Sequence, residues 1–308
     1  MHPISRRTLL KNGATTATGL AILSALPKPL HAKSLAKSPG IQLYTVSKEL
    51  TENLDDTLEK IAAIGYRTVE SAGLAGKSAG DFRKALDNAG LKCPSSHLFP
   101  TPEQTRAQFL DVARTLGSEY VVPSVLINTD GLKSVDDYIK VISALTEDDY
   151  KKMGSDLNAF AMEAQKAGLK LAYHNHNMEF HRWSDGRTTY EILMSETDPS
   201  LVKIELDCGW ADLGGDPPLA VFKKYPGRVK MLHVKDFVAV SHPMTELDLK
   251  TMPESTELGK GHIDYRAILA AAPAEGVDQI FVEQEPPFVH FTAFEAAKAD
   301  YEYLQSIA

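Results

Sequence analysis

Cysteine is nearly absent from this 308-residue chain: Cys93 and Cys208 are the only two. Two thiols cannot form a disulfide framework, so the fold must be held by a packed core. A basic excess is also missing. Lys and Arg together number 33 against 41 Asp and Glu, a formal net charge of -8, which argues against non-specific nucleic-acid binding, since that depends on positive charge displacing counterions. No apolar run reaches the ~20 residues that a bilayer crossing requires, so no stable membrane anchor is expected. The longest, Ala14 to Leu26, is about a dozen residues and is interrupted by Thr and Gly. Beyond the N-terminal segment there is no internal repeat, low-complexity tract or glycine-rich phosphate-binding fingerprint.

The first 32 residues differ in kind from the rest. Ser5-Arg6-Arg7-Thr8-Leu9-Leu10-Lys11 resembles a twin-arginine export signal, followed by the short apolar region and by Leu30-His31-Ala32. The expectation is a cleaved signal over residues 1–32, passage through the twin-arginine translocon, and a mature protein in the periplasm.

From residue 40 onward short apolar runs alternate with helical periodicity. Strands are expected near Gly40–Thr45, Arg67–Ser71, Leu91–His97, Tyr120–Val125, Leu169–His176, Leu201–Asp207, Arg228–Lys235 and Gln279–Glu285. Between them, Leu54, Leu58, Ile61 and Ala62 form one helical stripe, and Phe109, Val112, Ala113 and Leu116 another. Gly65, Gly90, Gly117, Gly168 and Gly276 stand where helices should stop. Eight strands in strict βα alternation predict an α/β chain folded as a single (β/α)8 barrel over residues 38–308. The longest irregular stretch, Phe237–His262, follows the seventh strand.

Period-two reading of the strands then sorts their faces. Val202, Ile204 and Leu206 oppose Lys203, Glu205 and Asp207. Leu232 and Val234 oppose Met231, His233 and Lys235. Ile280 and Val282 oppose Phe281, Glu283 and Glu285, and Val69 opposes Thr68 and Glu70. The apolar face must pack on the surrounding helices, so the polar set points into the barrel. Buried charges are costly unless paired or metal-bound, and here they converge at the carboxyl ends of strands, where barrel active sites lie. Asp207, His233 and Glu283 supply one imidazole and two carboxylates, a set suited to one divalent cation such as Mn²⁺, Co²⁺, Zn²⁺ or Mg²⁺. In the stretch AYHNHNMEF, residues 172–180, the same parity turns His174 and His176 into this mouth. Cys208 lies on the opposite parity from Asp207 and reads as packing.

Seven segments together resemble the xylose isomerase-like TIM-barrel superfamily. They are Gly40-Ile41-Gln42-Leu43-Tyr44-Thr45-Val46, Gly65-Tyr66-Arg67-Thr68-Val69-Glu70, His174-Asn175-His176, Leu206-Asp207-Cys208-Gly209-Trp210, His233-Val234-Lys235-Asp236, Glu257-Leu258-Gly259-Lys260-Gly261 and Phe281-Val282-Glu283-Gln284-Glu285. More narrowly they are similar to its sugar phosphate isomerase/epimerase branch, which is related to ketose epimerases, inosose dehydratases and 3-keto-glycoside eliminases or hydratases. The resemblance spans residues 38–308. It implies one divalent metal on Asp207, His233, Glu283 and a further ligand from the fifth strand, either Glu179 folding back or His174. It implies proton abstraction next to a carbonyl through a metal-stabilised enediolate, with Lys235, His97 and Glu285 as candidate acids and bases. Tyr44, Glu70, His176, Trp210 and Asp236 are candidate substrate contacts, and Glu257–Lys260 is expected to reach over the substrate. With export, the resemblance points to a non-phosphorylated sugar or keto-sugar, acted on by an isomerase, an epimerase or a lyase. A keto-glycoside supplied by an exported sugar oxidoreductase fits that compartment. A non-catalytic carbohydrate-binding barrel is the reading from another functional class.

Overall fold

The computed structural model describes residues 35–308 apart from 99–104, 125, 128–130, 133, 247–250 and 289. All of these belong to the compact unit Lys33–Ala308. The expected export signal lies outside the described residues.

Ten strands are present among the described residues. Eight close the barrel: β1 (Gly40–Gln42), β2 (Thr68–Ala72), β3 (Lys92–Leu98), β4 (Tyr120–Pro123), β5 (Lys170–His174), β6 (Val202–Asp207), β7 (Val229–Val234) and β10 (Gln279–Val282). Their order around the barrel is β1-β10-β7-β6-β5-β4-β3-β2, with every neighbouring pair parallel. The short antiparallel pair β8 (Asp236–Phe237) and β9 (Ser255–Thr256) lies within the long segment after β7. Among the described residues no helix is long and apolar enough to cross a membrane.

The helices start and stop for local reasons. Helix Arg106–Leu116 begins with a capping box between Thr105 and Gln108 and ends at Gly117, whose φ of 78° is left-handed. All five glycines expected to end helices have positive φ. The stripes expected to face the barrel do so: Leu54, Leu58 and Ile61 are buried, as are Phe109, Ala113 and Leu116. Ala62 and Val112 are partly buried beside them.

Strand parity divides the interior into two cores. The outward residues Val69, Leu171, Tyr173, Ile204, Leu206, Leu232, Val234, Ile280 and Val282 join one large cluster with the helices. Tyr120, Val122, Ala172, Met231 and Phe281 form a separate cluster inside the barrel. Each large side chain withdrawn from water contributes roughly 1.5–3 kcal/mol. The inner cluster is an apolar floor, and the polar residues two positions further along their strands stand above it.

Several strands stop sooner than their sequence pattern suggests. β1 ends at Gln42, where the side chain accepts the Tyr44 N–H at 3.1 Å and turns Leu43–Val46 into a 3₁₀ segment. β5 ends at His174, β7 at Val234 and β10 at Val282. Beyond these points the backbone finds other partners: Glu283 N–H donates to the Val234 carbonyl at 3.2 Å, Lys235 N–H to Tyr265 Oη at 2.7 Å and Gln284 N–H to Thr45 Oγ1 at 3.1 Å.

Candidate metal centre

Ladder register sets the site. His174 pairs with Glu205 across β5 and β6, Asp207 with His233 across β6 and β7, and Phe281 with His233 across β10 and β7. One ligand-capable atom from each of His174, Asp207, His233 and Glu283 falls within 4.8 Å of the others, and all four residues are buried. His233 is fully enclosed. It donates through Nδ1 to Glu283 Oε2 at 3.0 Å and through Nε2 to Glu70 Oε2 at 2.6 Å. Burial works against its charge, but Glu205, Glu283 and Glu70 outweigh it and hold the imidazolium well above the usual histidine range. Burial also opposes ionisation of Glu283, yet Lys235 and His233 pull its carboxyl below the usual range.

At the mouth, the Lys235 ammonium lies 2.9 Å from Glu283, 3.4 Å from Asp207 and in close contact with Glu285. It also sits 4.4 Å from the centre of the Trp210 ring. Asp207 accepts the Trp210 N–H through Oδ1 at 2.7 Å, capping the short helix Cys208–Leu213, while its buried Oδ2 makes no hydrogen bond. Burial raises the Asp207 carboxyl, partly offset by Lys235 and His233. The Glu285 carboxyl is likewise raised by burial, with Lys235 opposing. Its side chain is 31% exposed, against 9% for Glu283 and none for Lys235.

Below the mouth is a second polar layer. Glu70 accepts from Gln42 Nε2 at 2.6 Å and Ser95 Oγ at 2.5 Å as well as from His233. Burial would raise its carboxyl, but His233 and His97 bring it down to about 2. Glu205 Oε2 lies 3.1 Å from His174 Nδ1, 3.3 Å from His233 Nε2 and 4.0 Å from His97 Nδ1. Burial and the neighbouring Glu70 push the Glu205 carboxyl well above its ordinary range. His174 is kept neutral by burial and by His233 and His97.

The AYHNHNMEF stretch divides by parity. His174 and His176 turn toward the mouth, their rings 5.0 Å apart, and His176 lies 6.1 Å from Trp210. Burial and Lys235 depress His176 to about 3, leaving a neutral imidazole. Asn175 faces the backbone of Asp207, and Asn177 donates to the carbonyls of Met244 and Glu246 at 3.0 and 3.1 Å.

The family model described as xylose isomerase-like TIM barrel matches residues 58–307. The chain belongs to that family. Among its relatives, an inosose dehydratase of Lacticaseibacillus casei is 27% identical over 281 residues, covering 85% of this chain and 91% of the relative. A sugar phosphate isomerase/epimerase structure from Parabacteroides distasonis is 27% identical, with a TM-score of 0.69 over 88% of this chain and 94% of that one. The IOLI protein, solved with a bound zinc atom, has a TM-score of 0.62 at 18% identity over 88% and 97% of the two chains, a likeness of fold.

As a member of the xylose isomerase-like family the chain is expected to carry a divalent metal, and the mouth residues fit one. Two imidazoles and two carboxylates form a donor set for a divalent ion of the first transition row, and the buried Asp207 Oδ2 lacks any hydrogen bond. The structure brings His174, not Glu179, into this set. Glu179 is fully buried, but its carboxylate accepts from Tyr173 Oη at 2.7 Å and from the His176 N–H at 3.1 Å. Tyr173 points to the outer core, so Glu179 closes its own turn on the helix side of the strand. Burial raises it to about 7 despite the Tyr173 hydroxyl.

Other expected roles shift as well. Burial opposes the charge of Lys235, but the carboxylates of Asp207, Glu283 and Glu285 outweigh it and hold the ammonium above the ordinary lysine range. Glu70 is an enclosed support for His233, not a mouth residue. Asp236 is occupied by the backbone N–H groups of Phe237, Gly259, His262 and Ile263, at 3.1 to 3.3 Å, so it organises the long loop. The Glu257–Lys260 segment is tied to the scaffold through Leu258 N on Asp300 and Gly259 N on Asp236. Trp210 and Tyr44 stand at the mouth. Burial raises the Tyr44 phenol first, then the charges of Glu285 and Glu283. His97 is in ring contact with His174 and lies beneath the mouth. Glu205 was legible only as an inward residue two positions before Asp207. Asn175, on the outward parity, was legible only as part of the His174-Asn175-His176 segment.

Proposed function

We propose that the chain is a divalent-metal-dependent enzyme that abstracts a proton next to the carbonyl of a non-phosphorylated sugar or keto-sugar and then expels a neighbouring oxygen substituent, a lyase reaction. The observation that carries this reading is the Lys235–Glu285 pair placed against the carboxylates of Asp207 and Glu283 in one mouth. His174, Asp207, His233 and Glu283 would hold a divalent ion, which when bound would supply Lewis-acid polarisation of a substrate oxygen. Lys235, kept protonated, donates to the oxygen on which negative charge develops. Glu285, the more exposed of the pair, takes the carbon-bound proton, and its raised pKa suits it to return that proton to a leaving oxygen. Trp210 offers an apolar face to a sugar ring. The likeness to inosose dehydratases supports loss of water or of a glycosidic substituent as the outcome.

A second reading has a specific observation in its favour. The Parabacteroides distasonis structure carries the isomerase/epimerase name at the same level of identity, and return of the proton to another carbon or face would use the same residues. Export to the periplasm, passage through the twin-arginine translocon and supply by an exported oxidoreductase rest on residues 5–11, which lie outside the described residues.

Incubation of metal-loaded protein with 3-keto-glucosides, keto-polyols and free ketoses in D₂O, followed by NMR, tests the proposal. Deuterium next to the carbonyl, with appearance of an unsaturated ketone, is the expected result. Deuterated but isomerised sugars would replace the lyase reading with the isomerase one. Binding without exchange on any of them would remove the catalytic reading in favour of a carbohydrate-binding barrel.

A further inference from the structure

His233 faces two different carboxylate pairs with its two ring nitrogens. Nδ1 looks up to Glu283 and Asp207, at 3.0 and 3.8 Å, and Nε2 looks down to Glu70 and Glu205, at 2.6 and 3.3 Å. His97, His174 and His233 all surround Glu205 Oε2, and one donor atom from each of these four residues lies within 4.8 Å of the others. Glu205 is completely enclosed, and its other oxygen, Oε1, has no hydrogen-bond partner. An enclosed carboxylate oxygen left without a partner is costly. Beneath this layer is the apolar floor of Met231, Phe281 and Ala172, so water from below cannot relieve it.

We infer that His97, His174, Glu205 and His233 form a second cation position, one layer deeper than the mouth. The two positions share His174 and His233, so they compete for a single ion. Their donor chemistry differs. The mouth set holds two carboxylates and two imidazoles, whereas the deep set holds three imidazoles and one carboxylate. Imidazole favours borderline ions such as Zn²⁺ and Co²⁺, and carboxylate favours hard ions such as Mn²⁺ and Mg²⁺. The deep position is therefore selective for Zn²⁺ and Co²⁺, and the mouth for Mn²⁺. An ion held at the deep position engages the two histidines that the mouth position requires.

Equilibrium binding without substrate separates this inference from the proposed reaction. The chelator-treated protein is titrated with ZnCl₂, CoCl₂ and MnCl₂, with bound metal measured by elemental analysis and Co²⁺ by its visible spectrum. H97Q is expected to weaken Zn²⁺ and Co²⁺ by about tenfold or more, to change the Co²⁺ spectrum and to leave Mn²⁺ within about twofold; E205Q, whose side chain also touches His174 and His233, is expected to weaken Zn²⁺ and Co²⁺ by more than Mn²⁺. D207N is expected to do the reverse, with one ion per wild-type chain. Melting curves establish that each variant is folded. His97, at the edge of the layer with 6% exposure, decides the matter if E205Q fails to fold. Zn²⁺ affinity unchanged in folded H97Q, or an equal loss of Zn²⁺ and Mn²⁺ in D207N, would overturn the deep position.

Discussion

Asn175 grips the main chain of Asp207 from both sides. Its Nδ2 donates to the Asp207 carbonyl at 3.2 Å, and its Oδ1 accepts the Asp207 N–H at 3.1 Å. Both residues are fully enclosed, so the end of β6 is fixed by a side chain from β5's turn. The Asp207 carboxylate inherits its direction from that grip. N175A should therefore cost about 1–3 kcal/mol, the penalty for leaving buried backbone groups unpaired, and should weaken metal binding as well. Paired thermal melts and metal titrations check this. A stability loss with wild-type metal affinity would make Asn175 a scaffold residue only.

Removing a mouth ligand should empty the site of hard ions. D207A and H233A are each expected to lose most bound Mn²⁺, read by elemental analysis after dialysis. Full metal content in both would refute the mouth assignment.

Lys235 is ion-paired with three carboxylates, those of Asp207, Glu283 and Glu285. K235M should lower turnover by about 100-fold or more, as expected for loss of a positioned proton donor. It should also make stability more dependent on metal, because Glu285 would then lose its cation while Asp207 and Glu283 would keep only His233. The sign of that second effect is the useful readout. Divalent ions should raise the melting temperature of K235M by more than that of wild type.

Glu179 supplies a pH test. Its folded pKa is raised from 4.5 to about 7 by burial. A raised carboxyl binds its proton more tightly in the folded state, so its stabilising contribution is complete below pH 4.5 and is lost as pH rises to about 7. The shift corresponds to roughly 3 kcal/mol. E179Q cannot titrate and should flatten the stability profile between pH 4.5 and 7. Urea melts of both proteins at pH 5 and pH 8 measure the difference, and parallel profiles would rule out Glu179 as the source.

The barrel was legible because the strand pattern repeats eight times and five glycines mark helix stops between strands with the same meaning. Inward parity located Asp207, His233, Lys235 and Glu283 without any knowledge of the fold's closure. Parity fails where strands end. It carried His174 correctly, but past that residue the chain turns, and Glu179 looked available when Tyr173 and the His176 N–H had already claimed it. Asp236 misled for a related reason. A carboxylate beside a metal ligand reads as chemistry, yet of the four backbone N–H groups that occupy it three, from Gly259, His262 and Ile263, come from a distant stretch of the loop that no local pattern announces. Glu205 could have been found by asking what pairs with His174 across the ladder, which needs register as well as parity.

The run His174-Asn175-His176-Asn177 alternates side chains that look into the mouth with side chains that hold neighbouring backbone. Its information is therefore carried by position counted along the strand. A one-residue insertion or deletion between Ala172 and Asn177 would present amides to the mouth and imidazoles to the scaffold, disabling both functions at once. Variation here is expected as exchange of residues at constant length.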